Sequence, residues 1–170
     1  MKRALSPAEK QELRGLAFRL AAFALGGWLL LGVLFGVGSP GSADMHPTME
    51  AGDVYFYYRL QKTWRAGDLM CAEKEGRSVV GRVAAVGGDT VEISPAGEVF
   101  INGSRVVENE VQTPTPPYAG GPEYPLKLKE GEVFLLCDER RGGADSRLYG
   151  PVSERECKGK LVLILRRNGL

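Results

Sequence analysis

Ser42-Ala43-Asp44-Met45-His46-Pro47-Thr48-Met49, with Gly52-Asp53-Val54 close behind, divides this chain into two unlike parts. Upstream, residues 20–38 read LAAFALGGWLLLGVLFGVG and carry no charge. As a helix, about 19 such residues rise roughly 30 Å, the thickness of a bilayer's hydrocarbon core. Only a helix can satisfy its own backbone there. Downstream of Asp53 the apolar residues instead fall into short β-branched and aromatic runs separated by turn residues.

Residues 1–19 are basic, with Lys2, Arg3, Lys10, Arg14 and Arg19 set against Glu9 and Glu12. Ser6-Pro7-Ala8-Glu9 reads as a helix start, with a Ser N-cap, Pro at the first helical position and an acidic first turn. A cleavable signal peptide has a shorter apolar core of about 7–15 residues, although residues 38–43 do supply the small residues that cleavage needs. A buried core helix fits poorly, because Gly26, Gly27, Gly32, Gly36 and Gly38 weaken a helix in water. The expected organisation is a cytoplasmic segment (1–19), an uncleaved transmembrane anchor (20–38) and an extracytoplasmic domain (39–170). The basic residues before the span set that orientation, single-pass in the cell membrane.

The domain reads as antiparallel β. Strands are expected at 54–58, 69–72, 78–86, 90–93, 98–101, 104–107, 131–136 and 161–165. Asn102-Gly103 is a strong two-residue hairpin turn. Many short strands with no amphipathic helix among them predict an antiparallel sandwich or open barrel behind one N-terminal helix. The whole chain of 170 residues suits one domain plus an appendage. A net charge of +1 gives no reason to expect nucleic acid as a partner. The three cysteines, Cys71, Cys137 and Cys157, lack metal-ligand spacing. They read as buried small hydrophobes, or as one disulfide plus a free thiol. No metal or cofactor is expected.

Four boxes resemble the type I signal peptidase family (S26 type), in the family's order. The first is the apolar span leading into Asp44-Met45-His46-Pro47-Thr48, and the second is Ala51-Gly52-Asp53-Val54. The third is Val80-Gly81-Arg82-Val83 with Gly88-Asp89-Thr90-Val91-Glu92-Ile93, where the family reads Lys-Arg-Val and then Gly-Asp. The fourth is Cys137-Asp138-Glu139-Arg140 through Asp145-Ser146-Arg147 to Gly150-Pro151-Val152, where the family reads Gly-Asp-Asn-Arg, Ser-x-Asp-Ser-Arg and Gly-Pro-Val. The resemblance implies a β fold of the signal peptidase type and, in the family, a Ser-Lys dyad. There a serine attacks the scissile carbonyl, a lysine kept neutral by burial takes its proton, and a further serine places that lysine.

Those three positions are held here by Asp44, Gly81 and Gly143, so the resemblance implies a degenerate site with no active catalytic residue. Ser42, Met45, Pro47, Arg82, Asp138, Asp145, Ser146 and Arg147 remain as groove and scaffold, Ser42 at the place whose hydroxyl joins the oxyanion hole in some members. Substitutes for the dyad read poorly. Lys74 sits in an expected hairpin tip, solvated and protonated. Ser42, Asp44 and His46 would share a face of an extended segment, but with the histidine at one end rather than in the middle. Asp44 with Asp145 is the sharper alternative, as a carboxylate dyad. His46 with Asp44 lacks a third metal ligand.

The substitutions resemble those of dyad-lacking signal-peptidase-like proteins of Gram-positive bacteria that serve assembly of sortase-linked pili. That implies a non-proteolytic accessory factor or chaperone whose groove holds a segment of an exported protein such as a pilin. An active peptidase using other groups, and a surface scaffold whose groove is idle, are the competing expectations. Glycine at 81, within a strand, implies either close approach of a neighbour or open space in the groove floor.

Overall fold

The computed structural model describes residues 6–61, 63–107 and 113–167. Lys2 and Arg3 of the basic segment lie outside these. Helix α1 spans Pro7–Trp28 and starts as its sequence demands. The Glu9 N–H donates to Ser6 Oγ (3.2 Å) and the Ser6 N–H donates to Glu9 Oε2 (2.6 Å), closing a capping box behind Pro7. The helix continues through a π-helical turn, Leu29–Val33. Together the 27 residues are long and apolar enough to cross a membrane, a property shared by anchors and signal sequences, and none of the most apolar window is buried.

The apolar run is not one element. Its last four residues form strand β1 (Phe35–Gly38), paired with β2 (Val54–Tyr58) in the register Gly36↔Tyr57 and Gly38↔Tyr55. The two glycines have a use that helix propensity does not suggest. A Cβ on Gly38 would lie 2.5 Å from Tyr55 Cζ, and one on Gly36 would collide with the Tyr57 ring. Their bare backbone lets the two tyrosines fold over β1.

The remaining strands are β3 (Leu69–Lys74), β4 (Arg77–Val86), β5 (Thr90–Ile93), β6 (Val99–Ile101), β7 (Ser104–Arg105), β8 (Leu126–Lys127), β9 (Glu132–Leu136), β10 (Val152–Ser153) and β11 (Cys157–Leu165). A four-residue helix, α2 (Ser146–Tyr149), precedes β10. They form two antiparallel sheets, one of seven strands ordered β1-β2-β11-β3-β4-β9-β10 and one of four ordered β7-β6-β5-β8. The expected strands are present. The additions, β1, β8, β10 and α2, are each four residues or fewer.

One core cluster gathers Met45, Met49, Tyr55, Tyr57, Cys71, Cys137 and Leu161. It roots the loop from Ser42 to Met49, because Met45 and Met49 are both buried. Burying the two methionines is worth about 3–6 kcal/mol, comparable with the cost of about 1–2 kcal/mol per residue of fixing the backbone between them. Asp53 fastens the loop's far end: Oδ2 accepts from Glu50 N and Oδ1 from Arg167 N, each at 2.9 Å. These two bonds, Glu50's first, hold the Asp53 carboxyl below its ordinary pKa. A carboxyl with a lowered folded pKa stabilises above its unfolded pKa of about 4, and loses that contribution as pH falls through the lower folded value. The Tm difference between wild type and Asp53→Asn should therefore be open at pH 7 and narrow below about pH 4. A pH-independent difference would show that the carboxylate's charge is immaterial.

Candidate functional site

The loop from Ser42 to Met49 is a series of turns rather than an extended segment. His46 N donates to Ala43 O (2.9 Å) and Met49 N to Met45 O (2.8 Å). Ser42, Asp44 and His46 therefore do not alternate along one face, and the histidine's Nδ1 lies 3.6 Å from exposed Glu50 Oε1. Arg166 Nη2 braces the loop from outside by donating to Pro47 O at 3.1 Å. Asp44 is half-buried and its carbonyl accepts from Glu139 N (2.9 Å), so two of the four boxes meet at its backbone. Among the described residues no hydrogen bond or ion pair to its carboxylate is formed. Asp44, Ser42 and Met45 line a cavity of about 370 Å³ together with Ser78, Val79, Val80 and Ala144.

The retained polar residues hold the boxes together. Arg82 forks onto Asp138, Nε to Oδ1 at 2.9 Å and Nη2 to Oδ2 at 2.7 Å. Thr48 Oγ1 donates to the same Oδ2 at 2.5 Å and accepts from Arg82 Nη2 at 3.3 Å. Asp145 and Arg147 are fully buried and form a second fork, Nε to Oδ1 at 2.9 Å and Nη2 to Oδ2 at 2.8 Å. Asp145 also accepts from Cys137 N (3.0 Å) and Arg147 N (3.0 Å), and Ser146 Oγ accepts from Leu135 N (2.9 Å). With both oxygens taken up by a guanidinium and backbone N–H groups, Asp145 has no capacity to share a proton with Asp44. The carboxylate dyad is therefore not built.

The two glycines that the resemblance sets at catalytic positions are crowded by their neighbours. Gly81 is buried in β4, paired with Met70, and does not line the cavity. A Cβ there would lie 3.0 Å from Leu135 Cβ and 3.5 Å from Leu136 O. Close approach, not open space, is the outcome. At Gly143 a Cβ would lie 2.5 Å from Glu139 O, 2.8 Å from Cys137 Cβ and 3.2 Å from Cys137 Sγ. The Glu139 carbonyl and the Cys137 side chain together fill the space that a larger residue at 143 would need. Cys71 and Cys137 are buried free thiols, which decides for the small-hydrophobe reading of these two. Burial, and then the carboxylates of Asp145 and Asp44, push the Cys137 thiol far up from its ordinary pKa. It stays protonated, and a protonated thiol is no nucleophile.

Lys74 is not at a solvated tip. It ends β3, and its Nζ donates to Pro151 O (3.0 Å) while pairing with Glu156 Oε1 (3.1 Å). The conclusion about it is unchanged, since an ammonium held by a carboxylate is not a free base. Sequence reasoning missed the packing roles of Leu135 and Cys137, and missed Arg77 on the cavity wall. The glycine-to-cysteine departure in the fourth box was the available signal for Cys137.

The sequence matches the family described as signal peptidase, peptidase S26, over residues 14–166. This chain belongs to that family. Signal peptidase I of Leptolyngbya laminosa is 30% identical over 135 residues, covering 72% of this chain and 64% of the relative. A probable signal peptidase I-2 of Synechocystis is 28% identical over 130 residues, 70% and 57% of the two chains. Signal peptidase I of Bacillus licheniformis is 27% identical over 115 residues, 61% of each. The chain thus aligns with less than two thirds of the length of these relatives. A crystal structure of a signal peptidase I from Enterococcus faecalis superposes with a TM-score of 0.48 at 24% identity, over 59% of this chain and 98% of that one.

Proposed function

We propose that this signal peptidase I-like protein is membrane-anchored and proteolytically inactive, and that its groove holds an extended segment of an exported protein, a pilin in sortase-dependent pilus assembly. The observation that carries the reading is the crowding of position 81 by Leu135 and of position 143 by the Glu139 carbonyl and Cys137, while the cavity beside Asp44 stays open. Chemistry has lost its lysine chamber, and binding has kept its groove. The groove also has an unpaired wall. Strand β4 pairs with β3 along Arg77 to Arg82, but with β9 only from Arg82 onward. Among the described strands none lies on the other side of Arg77, Ser78, Val79 and Val80. Such an edge offers main-chain hydrogen bonds to an added strand, which needs no nucleophile.

The helix Pro7–Val33 serves as the anchor, with Lys10, Arg14 and Arg19 keeping its start in the cytoplasm. Residues 39–170 then lie on the outer side. Exposed Val37, Val54, Leu163 and Leu165 sit on neighbouring strands β1, β2 and β11, and continue the helix's apolar surface onto the domain. A membrane surface is the natural cover for them. Neither a cofactor nor a nucleic acid enters this reading. The test is full-length protein in detergent micelles mixed with a preprotein carrying its signal peptide. No cleavage is expected above the enzyme-free rate. Cleavage that disappears on Asp44→Ala would overturn the reading in favour of a peptidase working through the carboxylate.

A further inference from the structure

We infer that the groove beside Asp44 selects peptide segments carrying one basic and one acidic side chain, the basic group seated on Asp44 and the acidic group on Arg77. The inference rests on the groove-binding reading above and specifies what the groove takes. Both residues line the one cavity of about 370 Å³, within the size range of specific ligand sites. Elsewhere on the domain four less exposed cations have carboxylate partners: Lys74 with Glu156, Arg82 with Asp138, Arg147 with Asp145, and Lys160 with Asp68. Asp44 and Arg77 are the contrast. Among the described residues neither side chain forms a hydrogen bond or ion pair, although they share a cavity wall and carry opposite charges.

The two charges are held on different supports. Asp44 is half-buried on a loop pinned by Met45 and by its own carbonyl, while Arg77 begins the unpaired edge of β4 and is exposed. A strand added along that edge would run past Arg77 with its alternate side chains turned toward the cavity. The rest of the wall is Ser42, Ser78, Val80 and Ala144, which are small or apolar and contribute no further charge. Charge selection therefore falls to the two unmatched groups. A carboxylate partly removed from water favours an ammonium or guanidinium over a neutral group, and a guanidinium fits a carboxylate bidentately. A segment with both signs satisfies both walls, whereas a purely basic or purely acidic segment is repelled by one of them.

The probe is a library of capped decapeptides with an alanine, valine and threonine background and four consecutive positions open to all residues. It is panned on full-length protein in detergent at low salt. Selected peptides should be enriched for Lys or Arg and for Asp or Glu at a fixed spacing. Asp44→Asn should weaken the best peptide about tenfold and abolish only the basic preference. Arg77→Gln should abolish only the acidic one. Peptides that bind without charge preference, or whose preference survives both variants, overturn this inference and leave groove binding standing. Ala144→Trp, which fills the cavity, separates the two ideas. Binding that persists in this variant, or no binding by wild type at all, overturns the groove reading and this inference with it.

Discussion

The double variant Asp44→Ser, Gly81→Lys is expected to be inactive, although it puts serine and lysine at the two positions that the resemblance assigns to the family's dyad. Loss of a nucleophile or its base lowers kcat by about 10⁶-fold where that has been measured in a serine hydrolase. Restoring them recovers rate only if the base is neutral and correctly aimed. The obstacle lies in the walls. At position 81 a Cβ already stands 3.0 Å from Leu135 Cβ, so a lysine enters against a packed leucine. At position 143 no hydroxyl is present to aim it, and none can be added while Cys137 Cβ and Glu139 O lie 2.8 Å and 2.5 Å from the Cβ site. Cys137→Gly removes one of these two contacts, and a serine at 143 also needs the backbone carbonyl of Glu139 to shift. The packing part is measurable alone. Gly143→Ser should destabilise by about 1–3 kcal/mol as an overpacked site, and Cys137→Gly in the same chain should relieve only the part owed to the thiol side chain, since the Glu139 carbonyl stays 2.5 Å from the Cβ site. A double variant that already cleaves, or Gly143→Ser without cost, would show that the lysine chamber is open.

This packing explains which parts of the molecule were legible in the sequence. Features fixed by residues close in the chain could be read directly. The capping box at Ser6 and Glu9, the Asn102-Gly103 hairpin and the alternating runs of β4 and β11 all have local causes. Strand β1 failed because Phe35–Gly38 continues an uncharged run, and membrane thickness alone extended the helix through it. Its strand character comes from Tyr55 and Tyr57, about twenty residues later, whose rings need the bare backbone of Gly36 and Gly38. At the site, motif spacing found Asp44, Gly81 and Gly143. It did not find what fills the gaps, because Leu135 meets Gly81 across a β4–β9 pairing and Cys137 meets Gly143 across a turn. Gly81 was ambiguous for that reason: a strand glycine signals either contact or space, and only the neighbouring strand decides between them. Lys74 shows the same limit, since Glu156 and Pro151 lie far along the chain.

Arg147→Met is expected to be among the most destabilising single changes on the domain, at about 3–5 kcal/mol. That is a large part of the about 5–15 kcal/mol by which domains of this size are stable. The side chain is fully buried and forks onto Asp145, while Nη1 also donates to Arg140 O at 3.0 Å and Nη2 to Tyr118 Oη at 3.4 Å. Its guanidinium lies 4.6 Å from the Tyr118 ring centroid, and Tyr118 Oη in turn donates to Gly143 O at 2.9 Å. Burial works against the charged guanidinium, but the hydrogen bonds and charge of Asp145 more than offset it and hold its pKa above the ordinary value. Methionine matches the stem's volume and strands a buried carboxylate. Adding Asp145→Asn removes the stranded charge while keeping an acceptor for Cys137 N, so the pair should recover about half of the loss. Urea melts of the wild type, both singles and the double measure the coupling. If both single variants cost under about 1 kcal/mol, the fork behaves as a surface pair and scaffold duty does not explain its retention. A large coupling gives the retention a physical cause. Asp145, Ser146 and Arg147 hold the wall around Gly143 whether or not a dyad stands in front of it, so the requirement for them does not depend on which residues stand at 44 and 81.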